Sequence, residues 1–226
     1  PVWAVFLVLP LFPAIMGTLN YLGNLEILDN GWYSLWSQHT IFSASFFMPA
    51  QFGVFCAWQW RLEHTDHNWN SLMTAPVPVR DLYWSKFLLA AGVAVLGQVC
   101  IGVLYLLSGQ LAGVSGGLPL QLAGWMFFGA LGGMAVCAVQ LFLSLVIRSF
   151  APPVALGLVG GIAGLVMTSQ GAGLYCPYSL LCLGMRANNP NLSLEVGPFV
   201  LACGVCIALF SFLTFRCMAG RDVTTG

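Results

Sequence analysis

Formal charge is what this sequence has least of. Only 6% of its 226 residues are Asp, Glu, Lys or Arg, against roughly 25% in a soluble domain, which needs them to cover its surface. With 59% hydrophobic residues besides, a water-soluble fold is excluded and the chain reads as an integral membrane protein. The gaps between charges show what kind. There are 61 uncharged residues between Lys86 and Arg148, 37 between Arg148 and Arg186, and 20 between Glu195 and Arg216. About 20 residues at 1.5 Å each cross a hydrocarbon core of roughly 30 Å as a helix. The runs also lack the short alternating segments of a membrane β-barrel, which excludes that class.

Other absences narrow the function. The net charge is zero and no basic cluster exceeds two residues, so the footprint of a nucleic-acid partner is missing. No G-x-x-x-x-G-K-[ST] occurs, so the chain has no phosphate-cradling loop and supplies no ATP site of its own. No span carries an acid or a base near its middle, which removes the usual marks of an ion pump or proton relay. The polar residues well inside spans, such as Gln51, Gln98 and Gln140, are too scattered to define the pocket of a six-span substrate-capture subunit. A polytopic membrane enzyme would need paired acids or histidines near one face, and His64 and His67 are the sole candidates. Glu63, His64, Asp66 and His67 read better as a solvated polar loop than as a metal cluster. No catalytic and no metal-ligating residues are assigned.

Five of the eight cysteines (Cys56, Cys100, Cys137, Cys203 and Cys206) fall in apolar runs, where cysteine packs as a small hydrophobe. Cys176 and Cys182 fall on the outer side, where a disulfide between them is an open expectation. The opening "PVWAVFLVLPLFPAIMG" has no initiator Met, no basic leader and no small-residue cleavage site, and reads as a trimmed start rather than a signal peptide.

Six spans are expected in a single transmembrane domain over 1–226: about 1–22, 39–60, 84–107, 120–147, 152–170 and 197–217. "SGQLAGVSGGLP" (108–119) breaks the longest run into two helices. Pro152 and Pro153 sit in the first turn of the fifth span, which tolerates missing donors. "GALGGMA" and "GLVGGIAG" carry small residues that let helix backbones approach closely. If 61–86 is cytoplasmic, Arg61, Arg80, Lys86, Arg148, Arg216 and Arg221 all lie inside and only Arg186 outside, a strong positive-inside bias. Both termini are then cytoplasmic. Trp32, Tyr33 and Trp36 would form a headgroup-level aromatic belt on the outer side.

One segment collects the polar chemistry. "RLEHTDHNWNSLMTAPVPVRDLYWSK" (61–86) holds six of the fourteen charged side chains and two of the three histidines. Within its cytoplasmic part, 61–83, Asp66 would cap a short helix over about 67–75, with Trp69, Leu72 and Met73 on one apolar ridge. Pro76 and Pro78 end it, and a new helix restarts near Asp81. Such a ridge lies on the membrane surface or docks into a partner's groove.

The order "GWYSLWSQHTIF" (31–42), then Arg-x-Glu, "NWNSLMTAPV" (68–77) and a Lys at 86 resembles the permease subunits of lantibiotic-immunity ABC transporters of the nisin, mutacin and epidermin type. These are similar to the wider type-2 ABC exporter permeases. The resemblance implies an all-α polytopic fold of six transmembrane helices with both ends cytoplasmic. In that fold the first cytoplasmic loop couples to the ATPase, here through Glu63, Asp66, Trp69, Asn70, Leu72, Met73 and Pro76. A short amphipathic helix expected at the family's N-terminus has no counterpart in the residues present. "LLSGQLAG" (106–113) brushes against the ABC ATPase signature but lacks its second Gly. The implied function is expulsion of a lantibiotic or similar antimicrobial peptide from the bacterial cytoplasmic membrane, giving immunity or resistance. The alternative within the class is a permease for another drug or lipid. The implied partners are two copies of an ABC ATPase, which would hold the ATP and Mg, a second related permease, the peptide and membrane lipid. The outer segment 171–196 is too long for a turn and too apolar for a loop. The resemblance implies a short re-entrant pair of helices there, with Tyr175, Pro177, Tyr178 and Met185 as part of an outer gate; the alternative is a helix-end cap with an aromatic belt.

Overall fold

The computed structural model describes residues 8–64 and 77–219, and every structural statement below concerns those residues. Each regular element among them is helical. In chain order they are α1 (Leu11–Gly23), α2 (Gly31–Phe42), a π-helical turn (Ser43–Phe47), α3 (Met48–His64), α4 (Val79–Leu111), α5 (Leu122–Val146), α6 (Ala151–Ser169), α7 (Pro177–Met185) and α8 (Val196–Ala219). Five stretches are long and apolar enough to cross a membrane: Gly31–Arg61, Val79–Leu111, Leu122–Val146, Ala151–Ser169 and Val196–Ala219. They correspond to the second through sixth expected spans. The first is described only from Val8 onward, where α1 has 13 residues.

The second span departs most from expectation. It starts at Gly31 rather than near 39 and runs through α2, the π turn and α3 as one 31-residue rod. Ser34, Ser37, Gln38, His39 and Thr40 lower the hydropathy of this stretch, yet all are buried. Their polar groups are satisfied locally. Ser37 Oγ donates to the Ser34 carbonyl at 2.7 Å, Thr40 Oγ1 to Trp36 at 2.7 Å and Ser43 Oγ to His39 at 2.7 Å. Across to α1, Asn20 Nδ2 donates to Gln38 Oε1 at 2.5 Å, and Thr18 Oγ1 and His39 Nε2 are 3.0 Å apart. A polar helix face that finds partners inside the protein sits at membrane depth without penalty, and hydropathy alone misses it. The aromatic belt is corrected for the same reason. Trp36 is fully buried and Trp32 nearly so, both in the core rather than at a lipid boundary.

α5 is the hub, packing against α3, α4, α7 and α8. Its glycines make this possible. A Cβ at Gly132 would run into the Leu180 carbonyl of α7, and one at Gly184 into the Phe128 carbonyl of α5, so the two backbones touch. Gly157 and Gly161 of α6 face the Pro49 and Ser45 carbonyls of the preceding rod in the same way. The close packing expected of "GALGGMA" and "GLVGGIAG" is thus met, at backbone level. Leu88, Leu89, Phe127, Val159, Leu201 and Phe212 remain exposed, forming an apolar exterior of the kind lipid solvates.

Candidate functional site

The bundle has two chemically different ends. At the first, α3 finishes, α4 begins, α5 passes into α6 and α8 finishes, which gathers Arg61, Arg80, Lys86, Arg148 and Arg216. Lys86 Nζ pairs with Glu63 Oε1 at 3.0 Å and donates to the Gln59 carbonyl at 3.0 Å. The same ammonium lies 4.9 Å from the centre of the Trp60 ring, and Trp60 Nε1 donates to the Leu141 carbonyl at 2.9 Å. Lys86 is 7% exposed, so the pair is shielded from water and from salt more than a surface pair is. The clamp therefore ties the end of α3 to the first turns of α4 and, through Trp60, to α5. Tyr83 adds α8, with its hydroxyl 2.6 Å from Ser211 Oγ and its ring 4.8 Å from that of Phe215.

These helix ends carry the segment expected to couple to an ATPase. Of its assigned residues Glu63 is described, in the clamp with Lys86; Asp66, Trp69, Asn70, Leu72, Met73 and Pro76 lie outside the described residues. Sequence reasoning placed Lys86 in the motif without a partner. A Glu and a Lys 23 positions apart across a loop carry no local signal of pairing, and only the meeting of α3 with α4 supplies it.

At the opposite end, α7 enters from the Gly171–Cys176 stretch and lies against α5. The segment holds one nine-residue helix rather than the expected re-entrant pair, followed by a non-helical arm to Glu195. Pro177 fits the first helical turn and Arg186 ends the helix in the left-handed region, at φ 55°. With Asn189, Pro190 and Asn191 close behind, a second helix has little to start from.

The four residues assigned to an outer gate separate. Tyr175 is 85% exposed, whereas Met185 is fully buried. Pro177 is half-buried in the first turn. Tyr178 faces inward: its hydroxyl donates to Gln140 Oε1 at 2.9 Å, which also accepts the Gly157 N–H at 3.2 Å, while Gln140 Nε2 donates to the Pro153 carbonyl at 3.1 Å. Gln140, scattered in sequence, thus joins α5, α6 and α7. The Met185 carbonyl accepts Trp36 Nε1 at 2.9 Å, and Trp36 packs on Tyr105 and Trp125 with ring centres 5.0 and 5.5 Å away. Tyr105 in turn donates to the Trp32 carbonyl at 2.8 Å. Cys176 and Cys182 are separate thiols. Six positions along a helical turn put them about 9 Å apart in rise alone, beyond disulfide reach.

Beside α7 a cleft of about 550 Å³ opens between Tyr33, Gln121, Trp125 and the arm carrying Asn191 and Ser193, with Arg186 in its wall. Burial lowers the pKa of the Arg186 guanidinium from its ordinary value, because water no longer solvates the charge.

A family model described as ABC-2 family transporter protein matches residues 1–164. Neither a curated protein nor a solved structure matches the chain. The matched region runs from α1 into α6 and includes the Glu63–Lys86 clamp; α7 and α8 lie beyond it.

Proposed function

The chain belongs to the ABC-2 family of transporter proteins, and we propose that it is the permease of an exporter that expels a lantibiotic or similar antimicrobial peptide from the bacterial cytoplasmic membrane. As a multi-pass member of that family it is a transport subunit that works with an ABC ATPase. In the proposed assembly two ATPase copies hold the ATP and Mg, and a second, related permease completes the path. The basic end faces the cytoplasm, with both termini on that side.

The observation that carries the reading is the clamp of Glu63 on Lys86. It joins the two helices from which segment 65–78 emerges, and those helices continue to the opposite end, where Trp36 of the same rod holds α7. A push on the segment is thereby delivered to a rigid hairpin rather than to two independent helices. The peptide assignment rests on the "GWYSLWSQHTIF" and "NWNSLMTAPV" stretches and the Lys at 86, the residues that resemble lantibiotic-immunity permeases.

The test is made in cells carrying the complete transporter. Truncating a buried Trp anchor costs about 2 kcal/mol or more, at least tenfold in affinity. Trp69→Ala combined with Leu72→Ala is expected to leave membrane insertion intact, to release the ATPase on purification, and to abolish protection against the peptide. Full ATPase retention together with full resistance would overturn the coupling assignment. If the wild-type transporter assembles with its ATPase and gives no protection against any lantibiotic, the permease role stands and the peptide substrate is wrong.

A further inference from the structure

Among the described residues, Arg186 is a cation with no acid paired to it. The residue is 7% exposed, and its hydrogen bonds among the described residues go to neutral carbonyls: Nε to Leu192 at 3.0 Å, and Nη1 to Leu183 at 2.6 Å and Gly184 at 3.3 Å. Nη2 makes none. Glu26, Asp29 and Glu195 belong to the same end of the bundle, yet the ion pair formed among the described residues is that of Lys86 with Glu63 at the other end. Burying a charge without a counter-charge is costly. The backbone adds to the cost, since Arg186 is left-handed, at φ 55° and ψ 38°, where glycine is favoured and another residue loses about 1 kcal/mol. Ending the helix alone would be served better by Gly.

The cleft explains the expense. Arg186 lines it together with Gln121, whose Oε1 already accepts the Tyr33 hydroxyl at 3.0 Å, so that the amide NH2 is the end left to donate. Asn191 and Ser193 add further polar groups on the arm. The lining also has apolar members, Trp125, Phe128, Leu192 and Leu194 among them, and Leu120, next to Gln121, is 96% exposed, as a residue in contact with lipid would be. A donor-rich pocket holding one unbalanced guanidinium, at a helix end and beside an exposed leucine, matches a phosphodiester with an acyl chain attached. We propose that this cleft binds the headgroup of an anionic phospholipid, with Arg186 as the phosphate ligand and Gln121 as a second donor. The site goes beyond the transport reading and stands whichever cargo is carried. The lipid would brace the arm against α5 and complete the charge balance of α7's C-terminus.

The purified full chain, titrated with phosphatidylglycerol or phosphatidylcholine and followed by native mass spectrometry, tests this. Wild type is expected to favour phosphatidylglycerol about tenfold, the scale of one charge-assisted hydrogen-bonded contact. Arg186→Gly, which suits the left-handed backbone, should erase the preference, while Arg148→Gln at the far end should leave it unchanged. Circular dichroism and monodispersity confirm the fold of each variant. If Arg186→Gly does not fold, Gln121→Leu carries the test, since its side chain is exposed and its loss should lower the preference about threefold. An undiminished preference in whichever of the two variants is scored overturns the proposal, as does its absence in wild type. A wild type indifferent to headgroup that binds an amphipathic peptide as its C-terminal acid over its amide, in an Arg186-dependent way, would assign the cleft to a peptide carboxylate and overturn it too.

Discussion

The two ends of the bundle are held by different forces. At the basic end a charged pair, Lys86 with Glu63, is backed by Trp60, and Tyr83 ties α4 to α8 through Ser211 and Phe215. Around α7 the ties are neutral: an indole on the Met185 carbonyl, a phenol on Gln140, and glycine-mediated contact of the α5 and α7 backbones. A charge pair is long-ranged and depends on both partners. A neutral hydrogen bond is short-ranged, and close backbone packing yields little once formed. The contacts at the basic end join the ends of α3 and α4 to α5, and those around α7 hold a short helix in register with α5; under the proposed function the first set would carry force in from an ATPase.

Backbone contact should be the hardest feature to perturb without loss. Gly132→Leu pushes a side chain into the Leu180 carbonyl and is expected to cost about 3 kcal/mol or more, read as lost monodispersity and a lower thermal midpoint in detergent. Gly92→Leu, where nothing lies within 4 Å, should be nearly neutral. Equal effects at the two glycines would break the picture of α7 seated on α5.

Next in size is the clamp. Lys86→Met strands the Glu63 carboxylate and should destabilise by about 2 kcal/mol, most of it recovered in Lys86→Met with Glu63→Gln, because the penalty lies in the unpaired charge. Thermal unfolding of the four proteins of this cycle measures the coupling, and additive single effects would remove the pair as an organising contact. The smallest effect is expected of Tyr178→Phe. Losing one neutral hydrogen bond costs about 1 kcal/mol, visible as faster hydrogen exchange confined to α7. Were Tyr178→Phe to destabilise more than Lys86→Met, the ranking of the two ends would be reversed.

The membrane class and the positions of the later spans were legible because uncharged run length is a direct physical requirement of crossing lipid. α5, α6 and α8 fall close to where their charge gaps put them. The second span was misplaced at its start because Ser34 to Thr40 look soluble until their partners on α1 and within α2 are known. The same burial moved Trp32 and Trp36 from an expected belt into the core. Of the candidate sites, the sequence marked the 61–83 segment by its concentration of charge, and it marked Tyr178 and Met185 by their place in an outer stretch. It gave no sign that the Met185 contact is made by a carbonyl, or that Gln140 is the partner of Tyr178.

Composition and spacing alone determined that this chain lives in a membrane as helices and that its charge is concentrated in 61–86, which holds six of the fourteen charged side chains. These follow from solvation, which each residue carries with it wherever it ends up. The tertiary structure decided which polar groups are paired: Lys86 with Glu63, Trp36 with Met185, Gln140 with Tyr178, and Arg186 with carbonyls and no acid. Pairing depends on which helices meet, and those meetings are set by glycine contacts between segments far apart in the chain.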